Sequence, residues 1–310
     1  MNIINVEHMT KDYGYGRGVF DVSLHVEKGE VFGFLGPNGA GKSTTIRHLM
    51  GFSKPDSGKV EIFGEPTFQK YYDVLKRVGY IPGEIALPAG LTGNEFLKMM
   101  QDLTGVKNEE RINMLSDLFE LDSASLLCDV KRMSLGVKRK LAVVSAFMSD
   151  PEVLILDEPT SGLDPVMQER FIQFIHKEKE RGKTILLSSH IFSEIDNTCD
   201  RIAIIKDGKI VSEFVANDLK HASRKFYTVD FESEEEKKKF LEKSSEIGSL
   251  VLIADKEKEI YLSIEDKDLN QLISYLSSVE VTKFGNRKES LEDYFMKFYK
   301  EDKTFEGAIK

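Results

Sequence analysis

Three glycines, a lysine and adjacent hydroxyl residues lie within the stretch GPNGAGKSTT, which runs from Gly36 to Thr45. Glycine lets consecutive backbone N–H groups turn toward one point and cradle an anion. An apolar run precedes the stretch and a helical pattern follows it, so a helix N-terminus adds a partial positive charge. The spacing matches the phosphate-binding loop G-x-x-x-x-G-K-[ST]. The sequence therefore predicts a nucleoside triphosphate site formed by Gly36, Pro37, Asn38, Gly39, Ala40, Gly41, Lys42, Ser43 and Thr44.

Two of these side chains have specific tasks in such a loop. Lys42 is suited to reach the β- and γ-phosphates, and the Ser43 hydroxyl is suited to ligate Mg²⁺. A second group of candidates lies in VLILDEPTSGLDP, where Asp157 and Glu158 follow four apolar residues. Ligands of open α/β sheets bind beyond the carboxyl ends of such strands. We expect Asp157 to hold Mg²⁺, directly or through water, and Glu158 to polarise the attacking water.

Composition limits the classes of function that fit. The chain has 310 residues and a formal net charge of −9, which argues against a general nucleic-acid binder. Two cysteines, Cys128 and Cys199, are too few for a disulfide framework or a zinc site and favour a reducing compartment. No apolar run approaches the roughly 20 residues that span a bilayer, and the N-terminus lacks a signal-peptide pattern. We expect a chain that does not enter a membrane on its own.

The order of elements predicts an α/β fold, with a mostly parallel sheet covered by helices. Buried strands are predicted at 31–35, 153–156 and 184–189, and helices at 43–51, 166–181 and 191–199. Alternating stretches before the first strand predict an antiparallel edge. The pattern from Leu91 to Val130 is wholly helical and indicates an inserted helical subdomain. Arg201 to Phe214 reads as a hairpin with Asp207-Gly208 at its turn.

Composition shifts toward charged residues from about Lys220. We predict a first domain over residues 1–219 and a small α+β domain over residues 224–310. In the second domain, a strand, a solvated helix, a hairpin and a further helix follow one another. A stripe formed by Leu291, Phe295 and Phe298 or Tyr299 fits a helix whose apolar face packs in the core, or contacts a second copy of the chain.

Taken together, these motifs resemble the nucleotide-binding subunit of an ATP-binding cassette (ABC) transporter, over roughly Asn2 to Leu219. MSLGVKRKLAVVSAFMSDP resembles the family signature, with Ser134 reading as the N-cap of a helix over 137–148. The resemblance implies a P-loop NTPase core and an ATPase that uses ATP and Mg²⁺. It implies that Ser134 and Gly136 are the signature residues and that Asp164 belongs to the D-loop. It also implies that His190 is the switch histidine and that the Tyr13 ring stacks on adenine.

The resemblance also implies partners. Two cassettes would sandwich two ATP molecules, each signature helix facing the γ-phosphate held by the other copy. With no membrane span of its own, the chain would need a separate permease and would lie at the cytoplasmic face of the membrane. The stretch from Ala86 to Leu103 is the expected docking surface by family analogy, although its apolar residues fit ordinary helix packing equally well. An LED-x-F ending resembles cassettes of drug or antibiotic export systems.

The sequence departs from the family pattern at three places. The family usually has Gln after GY-x-P, where this chain reads VGYIPGE and has Gly83 followed by Glu84. In the signature, Leu135 replaces the first glycine and Val137 replaces the usual Gln. Two hypotheses follow: Glu84 or water replaces the missing amide at the metal, or Gly83 marks a looser site with slower turnover.

Other classes of protein remain to be weighed. A soluble cassette ATPase acting on ribosomes or DNA would usually carry two cassettes, basic linkers or zinc-binding cysteines, and none is apparent here. A GTPase or small-molecule kinase would leave the signature and D-loop unexplained, and no N-K-x-D guanine motif is present. We therefore expect an ATPase subunit that powers a separate permease, with no nucleic acid among its partners.

Overall fold

The computed structural model describes residues 1–216 and 224–287 together with Phe295. The chain divides into two compact units, Met1–Ala216 and Asn217–Lys310. The domain end predicted near Leu219 lies outside the described residues. Among the described helices of both units, none combines the length and apolar character that crossing a membrane requires.

The strands of the first unit form two sheets. They are β1 (Asn2–Asp12), β2 (Gly18–Glu27), β3 (Val31–Leu35), β4 (Ser57–Ile62), β5 (Glu65–Pro66), β6 (Val78–Ile81), β7 (Val153–Asp157), β8 (Thr184–Ser189), β9 (Arg201–Lys206) and β10 (Lys209–Val215). The six-stranded sheet has the order β10-β9-β3-β8-β7-β6 and is parallel except for the β9–β10 hairpin. Every residue of β3, β7 and β8 is buried, as expected for strands covered on both faces.

The predicted antiparallel stretches are β1 and β2, which pair with each other. They belong to a separate four-stranded sheet of order β2-β1-β4-β5 rather than to an edge of the parallel sheet. Apolar side chains of this sheet, including Ile4 and Val22, pack in one core with Phe32 and Phe34 of β3. The antiparallel sheet therefore supports the strand that leads into the phosphate loop.

The helices of the first unit connect these strands. They are α1 (Lys42–Leu49), α2 (Thr67–Leu75), α3 (Gly93–Thr104), α4 (Glu109–Leu118), α5 (Ser123–Leu127), α6 (Leu135–Phe147), α7 (Pro165–Glu180) and α8 (Phe192–Thr198). The predicted helical insertion corresponds to α3, α4 and α5, with a 3₁₀ turn at Val130–Arg132. Side-chain caps explain where these helices begin: Thr92 and Glu95 form a capping box at α3, and Asn108 caps α4.

The β9–β10 hairpin turns at Asp207 and Gly208, which have φ angles of 48° and 74°. Positive φ at both central residues is the requirement of a type I′ turn, which explains the Asp-Gly pair. Gly208 donates its N–H to the carbonyl of Ala40 at 2.9 Å and accepts from the N–H of Phe20 at 2.7 Å. The hairpin turn therefore braces the phosphate loop against β2.

The second unit has the element order β11 (Arg224–Phe231), α9 (Glu234–Ser244), β12 (Val251–Asp255), β13 (Glu259–Glu265), α10 (Leu269–Leu276) and β14 (Val281–Arg287). Its sheet has the order β12-β13-β11-β14, with every neighbouring pair antiparallel. This is the split βαβ arrangement of ferredoxin-like domains. Phe240 of the charged helix α9 is fully buried in its core. Of the predicted apolar stripe, Phe295 is buried, whereas Leu291, Phe298 and Tyr299 lie outside the described residues.

Candidate functional site

The phosphate loop lies between β3 and α1, as the motif predicts. Gly39 and Gly41 have φ angles of 83° and 114°, in a region that side chains other than glycine rarely adopt. Lys42 is buried, and its ammonium donates to the carbonyl of Gly36 at 2.6 Å and to that of Pro37 at 3.2 Å. Burial lowers the pKa of Lys42, while the nearby carboxylates of Glu158 and Asp157 favour its charged form. The loop is thus folded around a desolvated cation.

Asp157 and Glu158 stand at the carboxyl end of β7. Asp157 is buried and accepts a hydrogen bond from the hydroxyl of Ser188 on the adjacent strand β8. Glu158 has a φ angle of 47°, and its N–H donates to the carbonyl of Ser188 at 3.0 Å. The chain turns sharply after Asp157, and the two carboxylates have different partners: Ser188 for Asp157, and Lys42 and His190 for Glu158.

The Glu158 carboxylate brings two predicted site residues together. Its Oε1 lies 3.3 Å from Nζ of Lys42 and 3.2 Å from Nδ1 of His190. Lys42 begins the helix after β3, and His190 directly follows β8. Carboxyl ends of neighbouring parallel strands meet at one edge of a sheet, so three segments distant in sequence converge there. A carboxylate in contact with both a loop lysine and an imidazole is suited to phosphoryl transfer to water.

Tyr13 lies beside the phosphate loop. A cavity of about 440 Å³ is lined by Tyr13, Gly16, Arg17, Gly18, Gly39, Gly41, Thr44, Arg47, Asp207 and Gly208. The Tyr13 ring is half-exposed, and its backbone N–H donates to the carbonyl of Arg17 at 2.8 Å. Sequence reasoning missed both arginines, because one lies in a loop and the other on a helix without a motif of its own. The ring is placed where it can cover a base.

The signature residues stand at the start of a helix. Ser134 is the N-cap of α6, as predicted, and its Oγ accepts from the N–H of Val137 at 3.3 Å. Asp164 is the N-cap of α7 and accepts from two backbone N–H groups. A Cβ added at Gly136 would lie 3.1 Å from the carbonyl of Gly162, so the start of α6 touches the loop before Asp164.

Gly83 lies against the metal-binding candidate. A Cβ added there would stand 3.1 Å from Oδ2 of Asp157, so the backbone of this loop approaches the carboxylate directly. Glu84 is exposed. The idea that Glu84 supplies the missing ligand stays a prediction. We expect Glu84→Ala to raise the Mg²⁺ concentration for half-maximal ATP hydrolysis severalfold, and an unchanged Mg²⁺ titration would show that Glu84 does not serve this role.

Glu194 of α8 is a buried carboxyl group that sequence reasoning missed. Its Oε2 accepts from Ser189 Oγ at 2.5 Å. Burial, with a smaller contribution from the charge of Glu158, raises the pKa of Glu194 to about 7 against the opposing effects of Ser189, Thr160 and Arg139. A glutamate in SSHIFSE reads as an exposed helix residue, so only the folded structure reveals that its carboxyl group is buried.

A pH dependence of stability follows from Glu194. The folded pKa of about 7 exceeds the ordinary value of 4.5, so the folded state retains the proton longer. The stabilising contribution is therefore full below pH ~4.5 and is lost as pH rises through ~7. From pH 6 to 8.5, urea unfolding should show the wild-type protein losing about 1.4 kcal/mol more than Glu194→Gln. Parallel pH profiles for the two proteins would contradict this prediction.

The chain is similar to known proteins over most of its length. Residues 19–161 match the family model described as ABC transporter, and residues 129–196 match one described as AAA domain, putative AbiEii toxin, Type IV TA system. The bacitracin transport ATP-binding protein BcrA of Bacillus licheniformis is 35% identical over 296 residues, covering 95% of this chain and 96% of that protein. The chain belongs to the ABC transporter family. The protein of the same name from Enterococcus faecalis is 31% identical, with 95% and 96% covered.

Other matches cover about two thirds of the chain. The Nod factor export ATP-binding protein I of Paraburkholderia xenovorans (strain LB400) is 37% identical, covering 68% of this chain and 70% of that protein. A solved ATP-binding subunit of an ABC transporter is 30% identical, with a TM-score of 0.66 and coverage of 71% and 92%. A dimeric ATP-binding cassette bound to ADP and Pi shares the fold, at 24% identity, a TM-score of 0.62 and coverage of 69% and 98%.

These matches confirm the family resemblance, the α/β fold of a P-loop NTPase and the ATPase activity predicted from the motifs. The ABC subunit binds and hydrolyses ATP. The first matched relatives extend over nearly the whole chain, including the second unit, whereas the export protein from Paraburkholderia covers about two thirds of it.

Proposed function

We propose that this ABC subunit hydrolyses ATP to drive export of an antibiotic or another small molecule through a separate membrane permease. The observation that carries the proposal is the Glu158 carboxylate, whose Oε1 contacts both the phosphate-loop Lys42 and His190. The names of the relatives support the direction of transport, because they are transport and export proteins for bacitracin and Nod factor.

Each side chain at this edge of the sheet has a task in hydrolysis. Glu158 accepts a proton from the attacking water as the water approaches the γ-phosphate. Lys42 neutralises charge on the β- and γ-phosphates from its buried position. His190, whose Nδ1 is held beside Glu158, is placed to orient the water and the terminal phosphate. Tyr13 stacks on adenine at the mouth of the cavity beside the phosphate loop.

The residues present fit a magnesium ion. Ser43 follows the phosphate-loop lysine. Asp157 is buried, and its Oδ2 faces the loop at Gly83, where a Cβ added to the glycine would stand 3.1 Å away. Hydroxyl and carboxylate oxygens are the ligands that Mg²⁺ prefers. When bound, the ion supplies positive charge to the β- and γ-phosphate oxygens. We assign Ser43 and Asp157 to hold it.

We infer that Ser134, Gly136 and Asp164 act across a dimer, on the ATP held by a second copy of the chain. The four first N–H groups of a helix lack partners within the helix and attract anions. Ser134 satisfies one of them at α6, and Gly136 in the first turn lies against the loop at Gly162. We infer that this helix start faces the γ-phosphate held by the partner copy, so two chains enclose two ATP molecules. Asp164 shapes the adjoining loop by capping α7.

A purification experiment tests the export function. The tagged chain is isolated in detergent from membranes of its native host, and the expected result is an ATPase bound to a polytopic permease. In the same host, deletion of the chain should lower the inhibitory concentration of bacitracin or a related peptide antibiotic severalfold. Wild-type protein should restore it, and Lys42→Ala should not. Co-purification with ribosomes or nucleic acid and unchanged antibiotic sensitivity would overturn the proposal.

A further inference from the structure

Arg139 is a fully buried arginine in the signature helix α6. Its guanidinium donates three hydrogen bonds, all to backbone carbonyls. Nε donates to Ser161 at 2.9 Å, Nη1 to Pro82 at 2.9 Å and Nη2 to Gly83 at 2.8 Å. Pro82 and Gly83 follow β6, and Ser161 lies in the turn after β7. One side chain therefore joins three segments of the nucleotide-binding unit.

The two loops that Arg139 holds border the reacting groups. Ser161 donates its N–H to the carbonyl of Glu158 at 3.1 Å, which closes the turn that aims the Glu158 carboxylate. Gly83 lies close enough to Asp157 that an added Cβ would stand 3.1 Å from its Oδ2, and because Gly83 has no side chain it connects to Arg139 through its backbone carbonyl. Displacement of either loop would therefore shift the carboxylate beside it, and the hydrogen bonds to Arg139 oppose such a displacement.

The charge of Arg139 also belongs to this site. Burial lowers the pKa of the Arg139 guanidinium, while the carboxylates of Glu158, Asp157 and Glu194 favour its charged form. A planar guanidinium presents several N–H donors in a fixed fork and can satisfy carbonyls on two separate loops. A lysine ammonium is a single flexible point of donation and cannot reproduce that fork. Removal of the fork would leave three partly buried carbonyls without this donor, a cost that falls on the two loops themselves.

We propose that Arg139 is a positioning residue that locks the Pro82–Gly83 loop and the turn after Glu158 to the signature helix. Through these three hydrogen bonds, movement of the loop at Gly83 or of α6 reaches the turn that holds the water-activating carboxylate. The proposal rests on the hydrolytic function proposed above. It predicts a loss in the rate of hydrolysis rather than in the binding of ATP, because the partners of Arg139 are protein carbonyls.

Arg111 offers a matched control. It is also buried, it donates from Nε to the carbonyl of Phe147 at 2.7 Å, and it pairs with Glu178 at 2.8 Å. It joins α4 to α6 and α7 but contacts neither loop of the catalytic edge. The variant Arg111→Met therefore measures how much the loss of a buried arginine lowers stability without disturbing the catalytic edge.

The test compares Arg139→Met, Arg139→Lys and Arg111→Met as purified full-length proteins below their unfolding transitions. For both Arg139 variants we expect kcat at least tenfold below the wild-type value, with the Kd for ATP changed less than threefold. Arg111→Met should keep kcat within twofold despite a lower melting temperature. Backbone amide exchange should quicken together at residues 83–85, at Glu158 and at residues 160–163 in the Arg139 variants, and stay unchanged there in Arg111→Met.

Three results would overturn this role. The first is a kcat near the wild-type value in Arg139→Met, and the second is its recovery in Arg139→Lys, which would assign the effect to charge alone. The third is an equal loss of kcat in Arg111→Met, which would reduce the effect to general destabilisation. Absence of ATP hydrolysis in the wild-type protein would instead refute the proposed function, so the two failures are distinguishable.

Discussion

Glu158→Gln lowers the rate of ATP hydrolysis by about 10²- to 10⁴-fold, the usual cost of removing a positioned general base. ATP binding persists, because the amide has nearly the shape of the carboxylate and leaves the phosphate loop intact. The Oε1 position of Glu158 lies 3.3 Å from Lys42 and 3.2 Å from His190, so the variant changes the charge of a central atom without opening space. Steady-state phosphate release and ATP titration measure the two properties separately.

The same variant should accumulate as a closed dimer with ATP and Mg²⁺. If hydrolysis opens the ATP-enclosing pair of chains, a chain that binds but cannot hydrolyse remains closed. Size-exclusion chromatography with light scattering should detect a mass near twice that of the monomer. Glu152→Gln is the matched control, since Glu152 precedes the same strand at its opposite end and is exposed. Brisk turnover by Glu158→Gln, or a monomer in saturating ATP, would contradict the assignment.

Lys42→Ala abolishes nucleotide binding, with an expected rise in the Kd for ATP of at least about 100-fold. A hydrogen bond to a charged group contributes about 1.5–3 kcal/mol, and each 1.4 kcal/mol corresponds to a factor of ten. Lys42 serves the phosphates and also binds the carbonyls of Gly36 and Pro37, so its loss affects both the charge and the shape of the loop.

Isothermal titration with MgATP measures this loss directly. Lys59→Ala is a suitable control, because Lys59 is half-exposed on β4 and pairs with Glu61. Equal melting temperatures for Lys42→Ala and the wild-type protein would show that the fold survives. Undiminished affinity in the variant would remove the phosphate loop from the proposed mechanism.

Much of the nucleotide-binding unit was predictable because its signals are local. The strand β3 has four apolar side chains and one glycine, and it precedes a loop in which Lys42 donates to the carbonyl of Gly36 only six positions earlier. Ser134 was predictable as an N-cap because a hydroxyl residue before a helical pattern satisfies an unpaired N–H. Convergence of Glu158 and His190 was implied by their places after parallel strands.

Other features had no local signal. β4 and β6 were missed because β4 starts with three exposed residues and β6 has only four residues, one of them glycine. Arg139 sits among polar residues of α6, a pattern typical of a solvated helix start, and its partners are backbone carbonyls 22, 56 and 57 positions away. A backbone carbonyl has no identity in the sequence, so such a contact becomes visible only when the fold is known.

The hairpin turn at Asp207 and Gly208 has a practical consequence for protein engineering. Tight turns of this kind are common choices for inserting an affinity tag or a fluorescent label. Here, however, Gly208 is hydrogen-bonded to Ala40 of the phosphate loop and to Phe20. A label placed in that turn would disturb the ATP site it was meant to report. The turn between β12 and β13, at Lys256 to Lys258, is exposed and hydrogen-bonds to Phe231, Lys237 and Glu259 of its own unit, so a label there leaves the Gly208 contacts with the phosphate loop intact.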